Sequence, residues 1–374
     1  MKINRLKWLT IILVALLCPI HVFAEDTTDE TENIQAFLIK LFNERSRFLI
    51  DQRPETIHHF YEKTDRLSQY AYEQELLRSN YINSWAEKRG VAFSAAKSNI
   101  RVNRIKRQGN IARVSLNQSL QLSYVFISDK YNPQSFGIGT RHGLTLKKMN
   151  GEWVVLREWY TDPLSENPKL IPEFTGFPNP AFLKYQTTTL QTGEKAKRRY
   201  NREQAVQYAN KYAGAAWGAG NDHRYNKKYL DYTYQGGDCT SFASQVLGDK
   251  DEGGGLKMKS GWHYRSEGSQ AWVRTDTFKN FLLHSGYGSL VAKGYFTDVV
   301  KPTEKYPGGA LAALQPGDLI AYEMDGDIDH FSIFVGFDYY GYPLVNSHTA
   351  DRYRVPFDLG WDQNTKYLLI HIND

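Results

Sequence analysis

The chain has 374 residues, a formal net charge of +5 and two cysteines, Cys18 and Cys239. Residues 1–24 carry three of the positive charges and no negative ones, so the rest of the chain carries only +2. A charge that small gives no reason to expect nucleic acid or a strongly acidic surface as a partner. With so few cysteines, disulfides do not hold the protein together.

Residues 1–24 predict a secretory signal peptide. Basic residues precede the apolar run 8–17, which is too short to span a membrane, and residues 22–24 form a suitable cleavage site. A lipoprotein signal ending at Cys18 is the alternative, but the leucine before it is larger than that processing accepts. We therefore expect a secreted or cell wall-associated protein with no transmembrane segment after cleavage and with Cys239 as its one thiol.

The roughly 350 remaining residues are too many for one ordinary core, which predicts two domains. Five prolines crowd into "DPLSENPKLIPEFTGFPNP", so residues 161–194 are predicted as a linker or a strapped-down connector. Residues 25–33 are acidic and predicted to be disordered. These boundaries leave a smaller domain over residues 34–160 and a second domain over residues 195–374.

The first domain is predicted to be α+β. Apolar residues recur at helical spacing after residue 34 and again over residues 70–90, and an alternating strand pattern follows over residues 112–127. Asn150-Gly151 predicts the turn of a hairpin. The outline resembles cystatin-like and nuclear-transport-factor-like folds in shape alone, and we assign this domain no chemistry.

Cys239 lies in "GGDCTSFASQ" of the second domain, directly after two glycines and an aspartate. The glycine pair predicts a sterically open turn, and Asp238 is a suitable N-cap for a helix that starts at Cys239. The thiol would then lie at the positive helix end, which favours the thiolate and offers backbone donors for an oxyanion. This placement predicts a nucleophile, and the alternative is a small core residue.

A cysteine nucleophile needs a base, and His330 heads the apolar strand pattern "HFSIFVG". The next strand, "GYPLVNSHT", carries Asn346 and His348 two positions apart, so both face the same way. Either could accept a hydrogen bond from the His330 ring and fix its tautomer.

The motifs "GGDCTSFASQ", "LQPGDLIAY", "HFSIFVG" and "NSHTAD" resemble the putative amidase domain of secreted Gram-positive proteins. That family is similar to the NlpC-type branch of papain-like cysteine peptidases and amidases. The resemblance covers about residues 195–374, and it implies a papain-like α+β domain in which a helix packs on an antiparallel sheet. Here Cys-Thr-Ser replaces the Cys-Ser-Gly of the wider class, which leaves the chemistry intact but changes the groove.

The resemblance implies that Cys239 is the nucleophile and His330 the general base, with His348 first and Asn346 second as the orienting residue. It also places Tyr234 near the oxyanion site. Asp238, Tyr234 and Trp262 are therefore the candidates for oxyanion or substrate contacts. Five aromatic residues are candidates either for a groove that binds peptide or glycan or for core packing: Trp217, Trp262, Tyr264, Trp272 and Trp361.

The implied reaction is hydrolysis of an amide bond through a thioester, with no cofactor and with a peptide or peptidoglycan stem peptide as substrate. One alternative is a transglutaminase-like acyl transferase, although "HFSIFVG" lacks the aromatic-rich stretch usual at its histidine. Another is a non-catalytic wall-binding protein with a structural cysteine. A metal-dependent hydrolase is disfavoured because no His-x-His or His-x-x-x-Asp pair occurs among its possible ligands, Asp327, Asp329, His330, His348 and Asp351.

Overall fold

The computed structural model describes residues 24–164, 166–174 and 199–374, with the backbone alone for residues 24–29. The predicted signal peptide, apart from Ala24, and residues 175–194 of the predicted linker lie outside the described residues, so both stay predictions. The part of the linker that the structure describes is a packed connector, because Leu164 and Ile171 are 0% and 2% exposed.

The described residues form eight α-helices. They are α1 (Ala24–Asp51), α2 (Glu55–His58), α3 (Arg66–Lys88), α4 (Arg202–Lys211), α5 (Cys239–Gly248), α6 (Gln270–Val273), α7 (Thr275–His284) and α8 (Phe296–Val300). The long helices α1 and α3 fall where the apolar spacing predicts them. The acidic stretch 25–33, expected to be disordered, is helical and forms the start of α1. Asn201 caps α4, since its side chain accepts from the Gln204 N–H.

Ten strands in the described residues form one antiparallel sheet. They are β1 (Val91–Gln108), β2 (Ile111–Phe126), β3 (Asp129–Met149), β4 (Glu152–Tyr160), β5 (Gly288–Tyr295), β6 (Leu319–Met324), β7 (Asp327–Phe337), β8 (Pro343–Ser347), β9 (Asp351–Pro356) and β10 (Lys366–Ile372). Their order is β1-β2-β3-β9-β8-β7-β6-β10-β5, and β4 pairs with β3. Helices on an antiparallel sheet confirm the α+β prediction.

The sheet continues from the first predicted domain into the second where β3 pairs with β9. Two glycines of β3 permit a further backbone contact there. A Cβ on Gly137 would lie 1.9 Å from the Trp217 carbonyl oxygen, and one on Gly139 would lie 2.5 Å from the Ala215 carbonyl carbon. The strands of the first unit therefore support the segment 215–217 that leads towards the cysteine helix.

The two faces of the sheet in the second unit belong to different cores. Leu319 and Ala321 of β6 pack in a core with Phe242 of α5, which we call the α5 core. Ile320 and Tyr322, the alternate residues, pack in a core with helix α3, which we call the α3 core. This alternation decides on which side each candidate site residue lies. No helix among the described residues is long and apolar enough to cross a membrane.

Candidate active site

Cys239 is the first residue of α5, as the sequence predicts. Gly236 and Gly237 precede it with φ angles of 105° and 116°, which residues with a side chain rarely adopt. Every residue of α5 is buried. The glycine pair thus lets the chain turn sharply into a helix that packs on the sheet.

The Cys239 thiol lies against the backbone of β7 on both sides of His330. Its Sγ is 4.0 Å from the Asp329 carbonyl oxygen and 3.8 Å from the Thr240 hydroxyl. The Phe331 backbone N–H also interacts with the sulfur. Since β8 pairs with β7 only from Ile333 onward within the described residues, this part of the strand edge is open to α5.

The protonation state expected from the helix terminus is reversed in the structure. Cys239 is 6% exposed. Burial raises the pKa of its thiol above the ordinary value, and the contacts with Phe331 and Thr240 offset this only in part. Desolvation disfavours a thiolate more than the helix end favours it, so the resting group is a thiol.

The His330 ring faces aromatic residues of the α3 core. Its centroid is 5.9 Å from the Tyr322 ring and 5.5 Å from the Trp361 ring. Burial lowers the pKa of His330 well below its ordinary value, and Arg352 and His348 lower it further. The ring is therefore neutral at neutral pH.

The thiol of Cys239 contacts the backbone on either side of His330 but makes no hydrogen bond with the His330 ring in the described structure. No hydrogen bond links Cys239 to His330 among the described residues. The buried Nε2 of His330 has no hydrogen-bond partner there either. Catalytic hydrogen bonds often tighten only when substrate binds.

His348 bonds to the residue before the cysteine instead of to His330. Its Nδ1 is 2.6 Å from Asp238 Oδ2, and its Nε2 is 2.6 Å from the Tyr212 carbonyl oxygen. The expected N-cap role of Asp238 is corrected, because its side chain makes no cap bond and its Oδ1 accepts from the Tyr232 N–H. The carboxylate ties the loop before the nucleophile to the residue that follows β8.

Aromatic rings hold His348 from both faces. The Tyr225 ring stacks on it at 3.6 Å and the Phe242 ring at 3.8 Å. The Tyr225 hydroxyl donates to Asp351, which also accepts from the Ala215 N–H. Arg141 of β3 lies over the Tyr225 ring at 4.9 Å, so a residue of the first unit supports this network.

Asn346, the second candidate for orienting the base, is used elsewhere. Its Nδ2 donates to Asn210, and its Oδ1 accepts from the Arg354 N–H. Neither Asn346 nor His348 bonds to the His330 ring in the described structure. Asn346 and His348, the predicted partners of His330, therefore hold together the chain around the site.

Tyr234 and Trp262 occupy opposite environments. Tyr234 is 76% exposed, so it can meet a substrate but is not fixed near the thiol. Trp262 is 0% exposed, and its Nε1 donates to Ser244 of α5. Complete burial assigns Trp262 to core packing and corrects the expectation of a substrate contact. Trp272 is equally buried.

Sequence reasoning missed Arg352, Tyr225 and Arg141. Arg352 of β9 is 4% exposed and lies over the Trp361 ring at 5.2 Å. The stretch "DRYRVP" carries no signal for this burial, since an arginine in an alternating strand normally faces solvent. Within the described residues, no group of three His, Cys, Asp or Glu side chains is placed to hold a metal ion.

The segment that carries these residues matches a known family. Residues 199–370 match the family model of the putative amidase domain. This match supports an amidase-type function, hydrolysis of a C–N bond. The matched range contains every candidate site residue from Asp238 to His348. No curated protein matches the chain.

Several solved structures resemble part of the chain. An NTF2-like protein of unknown function from Shewanella baltica is 13% identical, with 36% of this chain and 93% of that chain covered and a TM-score of 0.21. A Mycobacterium tuberculosis protein of unknown function is 12% identical, with 36% and 73% covered and a TM-score of 0.25. A protein with a cystatin-like fold from Nostoc punctiforme is 13% identical, with 37% and 90% covered and a TM-score of 0.21. At such TM-scores these likenesses carry no argument about fold or function.

Proposed function

We propose that this protein is a secreted cysteine-dependent amidase or peptidase that cleaves an amide bond through a thioester on Cys239. One observation carries the proposal. The only thiol in the described residues starts helix α5 and lies against β7 at His330, inside the range that matches the amidase family.

The proposed mechanism begins from a neutral thiol and a neutral imidazole. His330 takes the proton from Cys239 as the sulfur attacks the amide carbonyl, and the Cys239 backbone N–H holds the oxyanion. The C–N bond then breaks, and the amine leaves with the proton from His330. Water, deprotonated by His330, hydrolyses the thioester and restores the thiol. Substrate binding must bring the ring and the sulfur together, because no hydrogen bond joins them among the described residues.

The proposal gives His348 a positioning role. Its bond to Asp238 supports this role, since Asp238 immediately precedes the nucleophile. His348 thereby fixes the loop and the start of α5 rather than the imidazole of His330. Asn346 supports β8 in the same way through Asn210.

The finer features of the proposal rest on the sequence motifs. A papain-like, NlpC-type arrangement is supported by a nucleophile helix packed on an antiparallel sheet that carries the histidine. Secretion is supported by the signal-like residues 1–24. A secreted enzyme of this kind meets peptidoglycan stem peptides, which we propose as the substrate class.

A second candidate function is a wall-binding protein in which Cys239 is structural. The observation that favours it is the burial of Cys239 and His330, each 6% exposed. No specific contact favours a transglutaminase-like reaction. The amidase hydrolyses its substrate and needs the thiol to do so, whereas the wall-binding protein hydrolyses nothing and needs the cysteine only for packing.

The test is amine release from muropeptides by the full-length mature chain. We expect Cys239→Ala to lose at least ~10³-fold in rate and His330→Ala to lose ~10²- to 10⁴-fold. A metal chelator should have no effect. Full activity in either variant contradicts the proposal, and unchanged wall binding without hydrolysis in native protein and Cys239→Ala selects the binding protein.

A further inference from the structure

Arg352 is a buried cation without a carboxylate partner. It is 4% exposed, and its Nε is buried with no hydrogen-bond acceptor among the described residues. It forms no ion pair within the part of the chain that the structure describes. An unpaired charge in a protein interior costs free energy, so its presence calls for an explanation.

Other buried arginines of the chain show the ordinary arrangement. Arg45 is paired with Glu158, Arg89 lies 2.8 Å from Asp358, and Arg78 lies 3.5 Å from Asp162. Each of these guanidinium groups has a carboxylate close by. Arg352 departs from that pattern although it is buried to a similar degree.

The surroundings of Arg352 contain a second buried nitrogen without a partner among the described residues. Arg352 and His330 both contact the Trp361 ring, at 5.2 Å and 5.5 Å. The Nε2 of His330 is buried and has no hydrogen-bond partner among the described residues. Buried polar groups are normally satisfied, so the unsatisfied nitrogens of Arg352 and His330 indicate a place for a polar ligand.

We propose that Arg352 binds a carboxylate of the substrate, so that the substrate class is an amide carrying a free carboxylate near the scissile bond. This inference rests on the proposed function and deepens it. A guanidinium matches a carboxylate through two parallel N–H donors, and a dry setting strengthens the pair. Glu166 of the connector interacts with Arg352 electrostatically but forms no ion pair with it within the described structure.

A bound carboxylate also serves the chemistry at His330. Arg352 disfavours a positive charge on that ring. When His330 takes the thiol proton it becomes an imidazolium, and a carboxylate on Arg352 offsets the repulsion between the two cations. A substrate without the carboxylate leaves this repulsion in place, and it therefore reacts more slowly.

The test measures binding in the full-length mature chain with Cys239→Ser, so that turnover does not interfere. The probes are N-acetylalanine and its neutral carboxamide, with inorganic phosphate as a second anion, followed by calorimetry and by tryptophan fluorescence. We expect the carboxylate to bind at least ~10-fold more tightly than the carboxamide. Arg352→Met should abolish the difference, and Arg354→Met, on the same strand, should retain it. Equal affinity for the two alanine probes, or phosphate binding without carboxylate binding, overturns the inference.

Thermal stability provides an independent readout. Because Arg352 is an unpaired buried charge, Arg352→Met should leave the Tm unchanged or raise it by about 2–4 °C. A clear fall in Tm means that the guanidinium is a structural group and overturns the inference. Carboxylate binding without hydrolysis of any muropeptide would uphold the Arg352 site while refuting the proposed function. Hydrolysis of muropeptides without preference for a carboxylate would uphold the proposed function and refute the Arg352 site.

Discussion

His348 lies 2.6 Å from Asp238 through Nδ1 and 2.6 Å from the Tyr212 carbonyl through Nε2. A carbonyl oxygen can only accept, so Nε2 carries a proton, and the Nδ1–Asp238 contact needs a proton of its own. Burial raises the pKa of Asp238, and the bond to His348 opposes this. The two side chains therefore share one proton and act as a unit.

Removal of one member of this pair should destabilise the fold. In Asp238→Ala the buried His348 loses its partner, and breaking a buried pair in this way costs about 3–5 kcal/mol. Asp238→Asn should cost less, since the amide can donate to Nδ1. Urea unfolding of the three proteins measures the difference. A loss below about 1 kcal/mol in Asp238→Ala would show that the pair does not hold the loop.

Cys239 should react slowly with iodoacetamide in the free protein. Burial raises the pKa of its thiol, so the midpoint of the alkylation rate against pH should lie above the ordinary ~8.5. Unfolding in urea should return the midpoint to the ordinary value. Rapid alkylation near ~pH 6 that disappears in His330→Ala would instead reveal a preformed thiolate–imidazolium pair.

Gly137→Ala should disturb the contact between β3 and the segment that leads to the site. The new Cβ would lie 1.9 Å from the Trp217 carbonyl oxygen. Such overpacking costs about 1–3 kcal/mol and should displace residues 215–217. Gly143→Ala on the same strand is the matched control, because its nearest neighbour lies at 4.0 Å. Equal unfolding free energies for the two variants would contradict the close approach.

The first unit should lose stability in acid through Glu158. Burial alone would raise the pKa of Glu158, but Arg45 and the bond to His142 hold it at about 2, below its ordinary 4.5. A depressed folded-state pKa stabilises the fold above about pH 4.5, and the contribution is lost as the pH falls towards about 2. The full contribution is on the order of 3 kcal/mol.

Glu158→Gln provides the comparison for this pH dependence. The difference in unfolding free energy between native protein and variant should be largest near neutral pH and shrink below about pH 4.5. Urea unfolding across that range measures it. A difference that stays constant with pH would mean that Glu158 titrates normally in the folded protein.

The sequence predicts the local elements well where the pattern is short-range. The hairpin turn at Asn150-Gly151 and the helix start at Cys239 follow from local residue types and are found. Capping and turn chemistry depend on neighbours along the chain, which the sequence displays directly.

Side-chain partners are less predictable because they come from distant strands. Alternation places Asn346 and His348 on one face but does not reveal that Asn210 and Asp238 take their hydrogen bonds. The burial of Arg352 depends on pairing between β3 and β9, more than 200 residues apart in sequence. The raised pKa of the Cys239 thiol likewise depends on how deeply α5 is buried, and no local sequence pattern predicts that depth.

The central claim is that Cys239 forms a thioester with the substrate. The most direct measurement is mass spectrometry of the native mature chain, acid-quenched shortly after mixing with muropeptides released by a muramidase. The account predicts a transient adduct on the peptide that contains Cys239, equal in mass to the acyl part of the substrate, and no adduct in Cys239→Ala. Hydrolysis that proceeds undiminished in Cys239→Ala, or release of amine with no adduct at Cys239 at any time, would contradict it.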